Sequence, residues 1–130
     1  MKKDFKNWHD KKTTINEVGK RPFFHEREVW WCALGTNVGF EQDGTGKNFD
    51  RPIVVIRGFS RNIFLGIALT GRKREGKYYF YLGEIEGRES SAILSQIRLI
   101  DSKRLIRKIE TLGDDKFKAL KDVLRKVIFD

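Results

Sequence analysis

The chain has 130 residues, 39% hydrophobic and 35% charged, which suits one hydrophobic core and leaves too little for two. Lys and Arg number 27 against 18 Asp and Glu, and the surplus of nine favours a polyanionic partner, nucleic acid first, with a basic surface kept for solubility as the plain alternative. The single cysteine, Cys32, excludes an intrachain disulfide, and no stretch has the core of a signal peptide or the ~20 apolar residues that span a bilayer, so the chain reads as cytoplasmic.

Over residues 4–18 the apolar positions Phe5, Trp8, Ile15 and Val18 fall largely at helical spacing, with Asp4 as N-cap and Gly19 as stop. This predicts a short amphipathic helix, whose lysines are a solvated face before they are a contact for RNA or a membrane surface. Pro22 breaks the pattern, and Phe23 and Phe24 are expected to dock the connection onto the body of the domain. Residues 1–22 are thus read as a helical extension and residues 23–130 as the domain.

Residues 28–34 alternate Val29, Trp31 and Ala33 with Trp30, Cys32 and Leu34, a strand apolar on both faces. Such a strand needs a cover on each side, from terminal helices or a second subunit, and Cys32 within it reads as a small buried hydrophobe. A polar loop comes next, with Gly35, Gly39, Gly44 and Gly46 as points where the backbone can turn tightly or approach a ligand. Pro52 is placed at the first residue of a second strand, continued by the β-branched run from Ile53. A turn at 58–61 leads to a third strand at 62–70, a basic hairpin tip at 71–77 and an aromatic strand at 78–82. Residues 85–91 look turn-like and 92–100 strand-like. Residues 102–112 suit either a helix, through Leu105, Ile109 and Leu112, or a turn plus strand. A closing helix starts at Asp114 or Asp115, with Phe117, Leu120, Val123, Leu124, Val127 and Ile128 on one face. Together these elements make a mainly β (α+β) protein, a small antiparallel barrel with helical covers.

Several familiar chemistries are excluded by spacing. Gly46-Lys47 lacks the rest of a phosphate loop, since Glu41 and Asn48 hold the places of the first glycine and of the Ser or Thr. His25-Glu26 lacks the second histidine of a zinc protease, a position taken by Val29. Two histidines and one cysteine make a zinc site improbable, and no nucleophilic triad is visible. The remaining candidates are polar. Arg51, at a strand's start, can neutralise a phosphodiester, while its high pKa makes it a poor base. Glu41 is the natural acceptor of a ribose 2′-hydroxyl proton, and Thr70, at the end of the third strand, can orient the phosphate. An ordinary Glu41–Arg51 ion pair capping the loop stands as an equal alternative.

The blocks GFEQDGTGKNFDRPIVVI, ALTG at 68–71 and SQIRLIDSKRL at 95–105 resemble the signature blocks of the MazF/PemK toxins of type II toxin–antitoxin systems, in their usual order. The resemblance spans about residues 28–112. It implies an SH3-like barrel with a C-terminal helix, a homodimer, a cognate antitoxin and cleavage of single-stranded RNA by 2′-hydroxyl attack, with no metal or other cofactor. It also implies the site: Arg51 as catalytic arginine, Thr70 as phosphate positioner, and Glu41 and Gln42 as the Glu-Gln of the loop. Gln96 is the glutamine of the later block, and Lys47, Arg72 and Arg98 join Gln42 and Gln96 as expected RNA contacts. Phe40 and Ser95 stand where some members have a histidine and an acid, which leaves the general base open. A gyrase poison of the CcdB kind and an inactive RNA-binding module on the same fold are the competing readings.

Overall fold

Alternation along the strands divides the apolar residues between two faces of one curved sheet. In the computed structural model, which describes residues 21–35 and 50–130, six strands pair antiparallel throughout. They are β1 (Glu28–Ala33), β2 (Asp50–Gly58), β3 (Ile63–Thr70), β4 (Tyr79–Ile85), β5 (Arg88–Asp101) and β6 (Leu105–Thr111), in the order β4-β5-β3-β2-β1-β6. The C-terminal helix α1 spans Asp114–Phe129. The result is a half-barrel with one helix among the described residues. The helix expected over residues 4–18 and nearly all of the glycine-rich loop lie outside the described residues.

Both faces of β1 are buried, as its sequence demands. Val29, Val54, Ile56, Ile67, Leu69, Leu82 and Leu94 form one core with Phe117, Leu120 and Leu124 of α1. Trp30, Cys32, Ile53, Val55, Phe64, Ala68, Ile100 and Leu105 form the other. Phe24 stacks on Phe64 with ring centroids 4.9 Å apart, but Phe23 is exposed, its ring 4.1 Å from the Arg61 guanidinium. The connection is therefore docked by one phenylalanine and not by two.

Three expectations are corrected, and the open choice at residues 102–112 is resolved as a turn plus strand. Pro52 is the third residue of β2, tolerated there because the ladder to β3 begins only at Ile53. The turn expected at 85–91 shrinks to Glu86-Gly87, whose φ values of 51° and 74° match the two-residue hairpin turn that follows the sheet's twist. Residues 102–112 become a 3-10 turn, Ser102–Arg104, followed by a strand, because β6 pairs along β1. Ile128 is exposed, beyond the reach of the face that buries Phe117, Leu120 and Leu124. The helix carries Asp114 and Asp115 in its first turn, where acids suit the helix dipole. Arg27, which holds a left-handed φ of 79°, ion-pairs with Asp114 and so ties the start of β1 to the helix.

Candidate active site

Three neighbouring strands bring their ends together. The start of β2 supplies Arg51 and Pro52, and the end of β3 supplies Leu69 and Thr70, with Gly71 just beyond it. The β4–β5 turn supplies Glu86 and the start of β5 supplies Arg88, and Trp31 of β1 and Ile109 of β6 complete the walls of a cavity of about 110 Å³. Arg51 faces Cys32 across the β1–β2 ladder, so its position is fixed by the register of two central strands.

Arg51 is only 8% exposed, and its Nε and Nη1 have no hydrogen-bond partner among the described residues. Buried polar atoms are nearly always paired, and a buried unpaired charge is costly. Burial pulls the guanidinium below its ordinary pKa, yet arginine remains protonated at any physiological pH. A permanent cation with N–H groups unpaired among the described residues, set in a largely apolar cleft, is a receptor for an anion, phosphate being the group its planar fork fits best.

Around it the other polar groups are occupied or positioned. Glu86 gives both carboxylate oxygens to Arg107, at 2.9 and 3.0 Å, and this bond holds the carboxyl below its ordinary pKa and the guanidinium above its own. The Arg107 guanidinium lies 5.9 Å from the centre of the Trp31 ring, so the pair walls the cleft without presenting a free negative charge. Ser90 Oγ donates to the Arg88 carbonyl at 3.2 Å. Next to it Ser91 Oγ donates to the Arg72 carbonyl at 2.8 Å and accepts from the Arg74 N–H at 3.0 Å, fastening the hairpin loop to β5.

Arg51 and Thr70, two of the three residues expected to be catalytic, thus share one cleft. Glu41, Gln42 and Lys47 lie outside the described residues. Arg72, Gln96 and Arg98 do not line the cleft. Arg72 is exposed in the loop after β3, Gln96 falls where the β3–β5 ladder is interrupted between Ile97 and Ala92, and Arg98 sits opposite Gly66. Arg88, Glu86 and Ser90 are cleft residues that sequence reading passed over as part of a turn. Among the described residues no three His, Cys, Asp or Glu side chains cluster in a way that could hold a metal, and no described helix is long and apolar enough to cross a membrane.

The model of the family described as "PemK-like, MazF-like toxin of type II toxin-antitoxin system" matches residues 25–128. The fold is similar to that of MazF from Deinococcus radiodurans, at 17% identity and a TM-score of 0.63, covering 84% of this chain and 97% of that one. It is also similar to an endoribonuclease in complex with its cognate antitoxin from a Mycobacterial species, at 13% identity and a TM-score of 0.61, covering 82% and 94%. A third likeness is to the Mycobacterium tuberculosis toxin MazF-mt6, at 15% identity and a TM-score of 0.60, covering 78% and 95%. At these identities the likeness to the solved structures is one of fold.

Proposed function

The chain belongs to the PemK-like, MazF-like toxins of type II toxin–antitoxin systems, and on that premise we propose that it is an endoribonuclease that cuts single-stranded RNA. The observation that carries this reading is Arg51, a buried cation beside Thr70 with two N–H groups unpaired among the described residues. The 2′-hydroxyl of the RNA attacks the adjacent phosphorus, forming the O2′–P bond as the P–O5′ bond breaks. The leaving O5′ takes a proton from water, and the products are a 2′,3′-cyclic phosphate and a 5′-hydroxyl. The phosphate grows more negative on the way, and Arg51 steadies that charge while the Thr70 hydroxyl donates to a non-bridging oxygen. Preorganised donors of this kind contribute roughly 10²–10³-fold in rate. Glu41 is the proposed acceptor of the 2′-hydroxyl proton, and Gln42, Lys47, Arg72, Gln96 and Arg98 are the proposed contacts along the RNA.

Residues 23–130 are the toxin domain in this proposal, with residues 1–22 as an added segment. The protein acts in the cytoplasm as a homodimer and is silenced by a cognate antitoxin that covers the RNA groove. The similar structures above include an endoribonuclease in complex with its cognate antitoxin, which supports that partner. The deciding experiment places deoxyribose at the cut position of an otherwise ribose oligonucleotide. Cleavage stops if the 2′-hydroxyl is the nucleophile, and continued cutting overturns the mechanism.

A further inference from the structure

The geometry points to Arg88 as a second phosphate-binding residue, one that holds the phosphate next to the scissile one where the RNA strand leaves the cleft. The inference rests on the RNA-cleaving reading above and adds a subsite to it.

Gly71 shows how the side chain is seated. A Cβ built on this glycine would lie 2.6 Å from Arg88 Nη2, 3.1 Å from its Cζ and 3.4 Å from its Nε. The guanidinium therefore rests directly against the glycine, immediately after Thr70. Gly71 does not have a left-handed φ, so its backbone would accept other residues, and a methyl there would displace only the end of the Arg88 side chain. The backbone of Arg88 is held as well, by pairing with Ile85 across the hairpin and by the Ser90 hydroxyl on its carbonyl.

The charges around it leave Arg88 available. Glu86 is the acidic residue lining the same cleft, and Arg107 takes both of its oxygens. No carboxylate among the described residues pairs with Arg88, so its exposed guanidinium is held in place with its charge unspent.

Depth decides which phosphate. Arg51 is buried and Arg88 is exposed at the rim. The cavity between their strands, about 110 Å³, falls well below the ~300 Å³ at which pockets begin to enclose a small-molecule ligand. It admits one phosphate group to Arg51, and the rim cation meets the next one along the strand. Beyond Gly71 the hairpin continues the positive charge with Arg72, Lys73, Arg74 and Lys77. Lys73 lies 4.9 Å from the Tyr81 ring centre and Lys77 5.5 Å from that of Tyr78. An emerging strand would run onto a basic, aromatic surface of the kind that suits single-stranded RNA.

The test uses an RNA oligonucleotide with one mapped cut and a set in which each phosphate in turn is a neutral methylphosphonate. The full-length protein is compared with Arg88→Ala, Arg88→Lys and Gly71→Ala. Wild type should lose about tenfold or more in kcat/KM when one phosphate adjacent to the cut is neutralised. Arg88→Ala should show that loss on unmodified RNA, mainly in KM, and should be indifferent to neutralising that same phosphate. Arg88→Lys restores part of the affinity. Gly71→Ala keeps the charge but takes its seat, so it should give a milder copy of Arg88→Ala at unchanged thermal stability. Arg88→Ala that cuts like wild type, that stays sensitive to every methylphosphonate, or that loses kcat alone overturns the assignment while leaving RNA cleavage standing. A wild-type protein that cuts no RNA removes the reading beneath it as well.

Discussion

Replacing Arg51 with methionine is expected to make the protein more stable. The guanidinium is 8% exposed and leaves Nε and Nη1 without partners among the described residues. Each buried donor left unmade costs about 1–3 kcal/mol, so the two together cost about 2–6 kcal/mol in the RNA-free protein. Methionine is unbranched, has a similar reach and fills irregular space, and a near-isosteric swap of this kind costs under about 1.5 kcal/mol. The net gain should be at least about 0.5 kcal/mol and as much as several, which for a chain of this length raises the melting temperature by at least about 2 °C. Urea unfolding followed by tryptophan fluorescence measures it, with Trp30 and Trp31 reporting on the neighbouring strand. An arginine kept for structure would give the opposite sign. Arg51→Met that unfolds more easily than wild type, by more than about 1 kcal/mol, would refute the view that this cation is held in readiness for an anion.

Glu28→Ala should cost about 1–3 kcal/mol, because the buried carboxylate accepts from Trp30 Nε1 at 3.0 Å, a buried donor that would be orphaned, and from the more open His25 N–H at 2.8 Å. Burial by itself raises the Glu28 pKa, but the bonds from Trp30, His25 and Lys108 outweigh it and the net shift is downward. A carboxyl with a lower pKa folded than unfolded adds stability above the unfolded value and loses it as the pH falls through the folded one. The gap between wild type and Glu28→Ala should therefore narrow below the ordinary value of 4.5, and chemical denaturation from about pH 7 to about pH 3 would show whether it does. Gly66→Ala pushes a methyl to 2.9 Å from Ile100 Cδ1 and 3.0 Å from Phe64 Cε2, and should destabilise by about 1–3 kcal/mol in the same unfolding assay. Thr70→Val preserves shape and removes the hydroxyl, so single-turnover cleavage should fall about 10–100-fold with the melting temperature little changed.

The strands that carry Arg51 and Thr70 could be read from the chain because their burial on both faces leaves an unbroken apolar run bounded by glycine and proline. Arg51 beside Pro52 and Thr70 before Gly71 then fall at strand ends, where a site can open. Arg88 could not be read this way. It begins β5, yet Arg88, Glu89, Ser90 and Ser91 have the composition of a turn. Ser91 belongs to the strand through a tertiary bond from its hydroxyl to the loop after β3, while the Ser90 hydroxyl bonds locally to the Arg88 carbonyl. Local composition carries no trace of those partners. The strand β6 was hidden for a related reason. Leu105, Ile109 and Leu112 sit at helical spacing, but Leu105 packs in one core while Leu112 packs in the other, with Ile109 against it. Pairing with β1 decided the outcome over local periodicity.

The most direct measurement incubates single-stranded RNA with the full-length protein and, side by side, with folded Arg51→Met, both in EDTA, and identifies the new ends by mass spectrometry. The expected result is 2′,3′-cyclic phosphate and 5′-hydroxyl ends from the wild-type protein and none from the variant. Equal cleavage by a folded Arg51→Met would contradict the assignment of this buried guanidinium to the reacting phosphate.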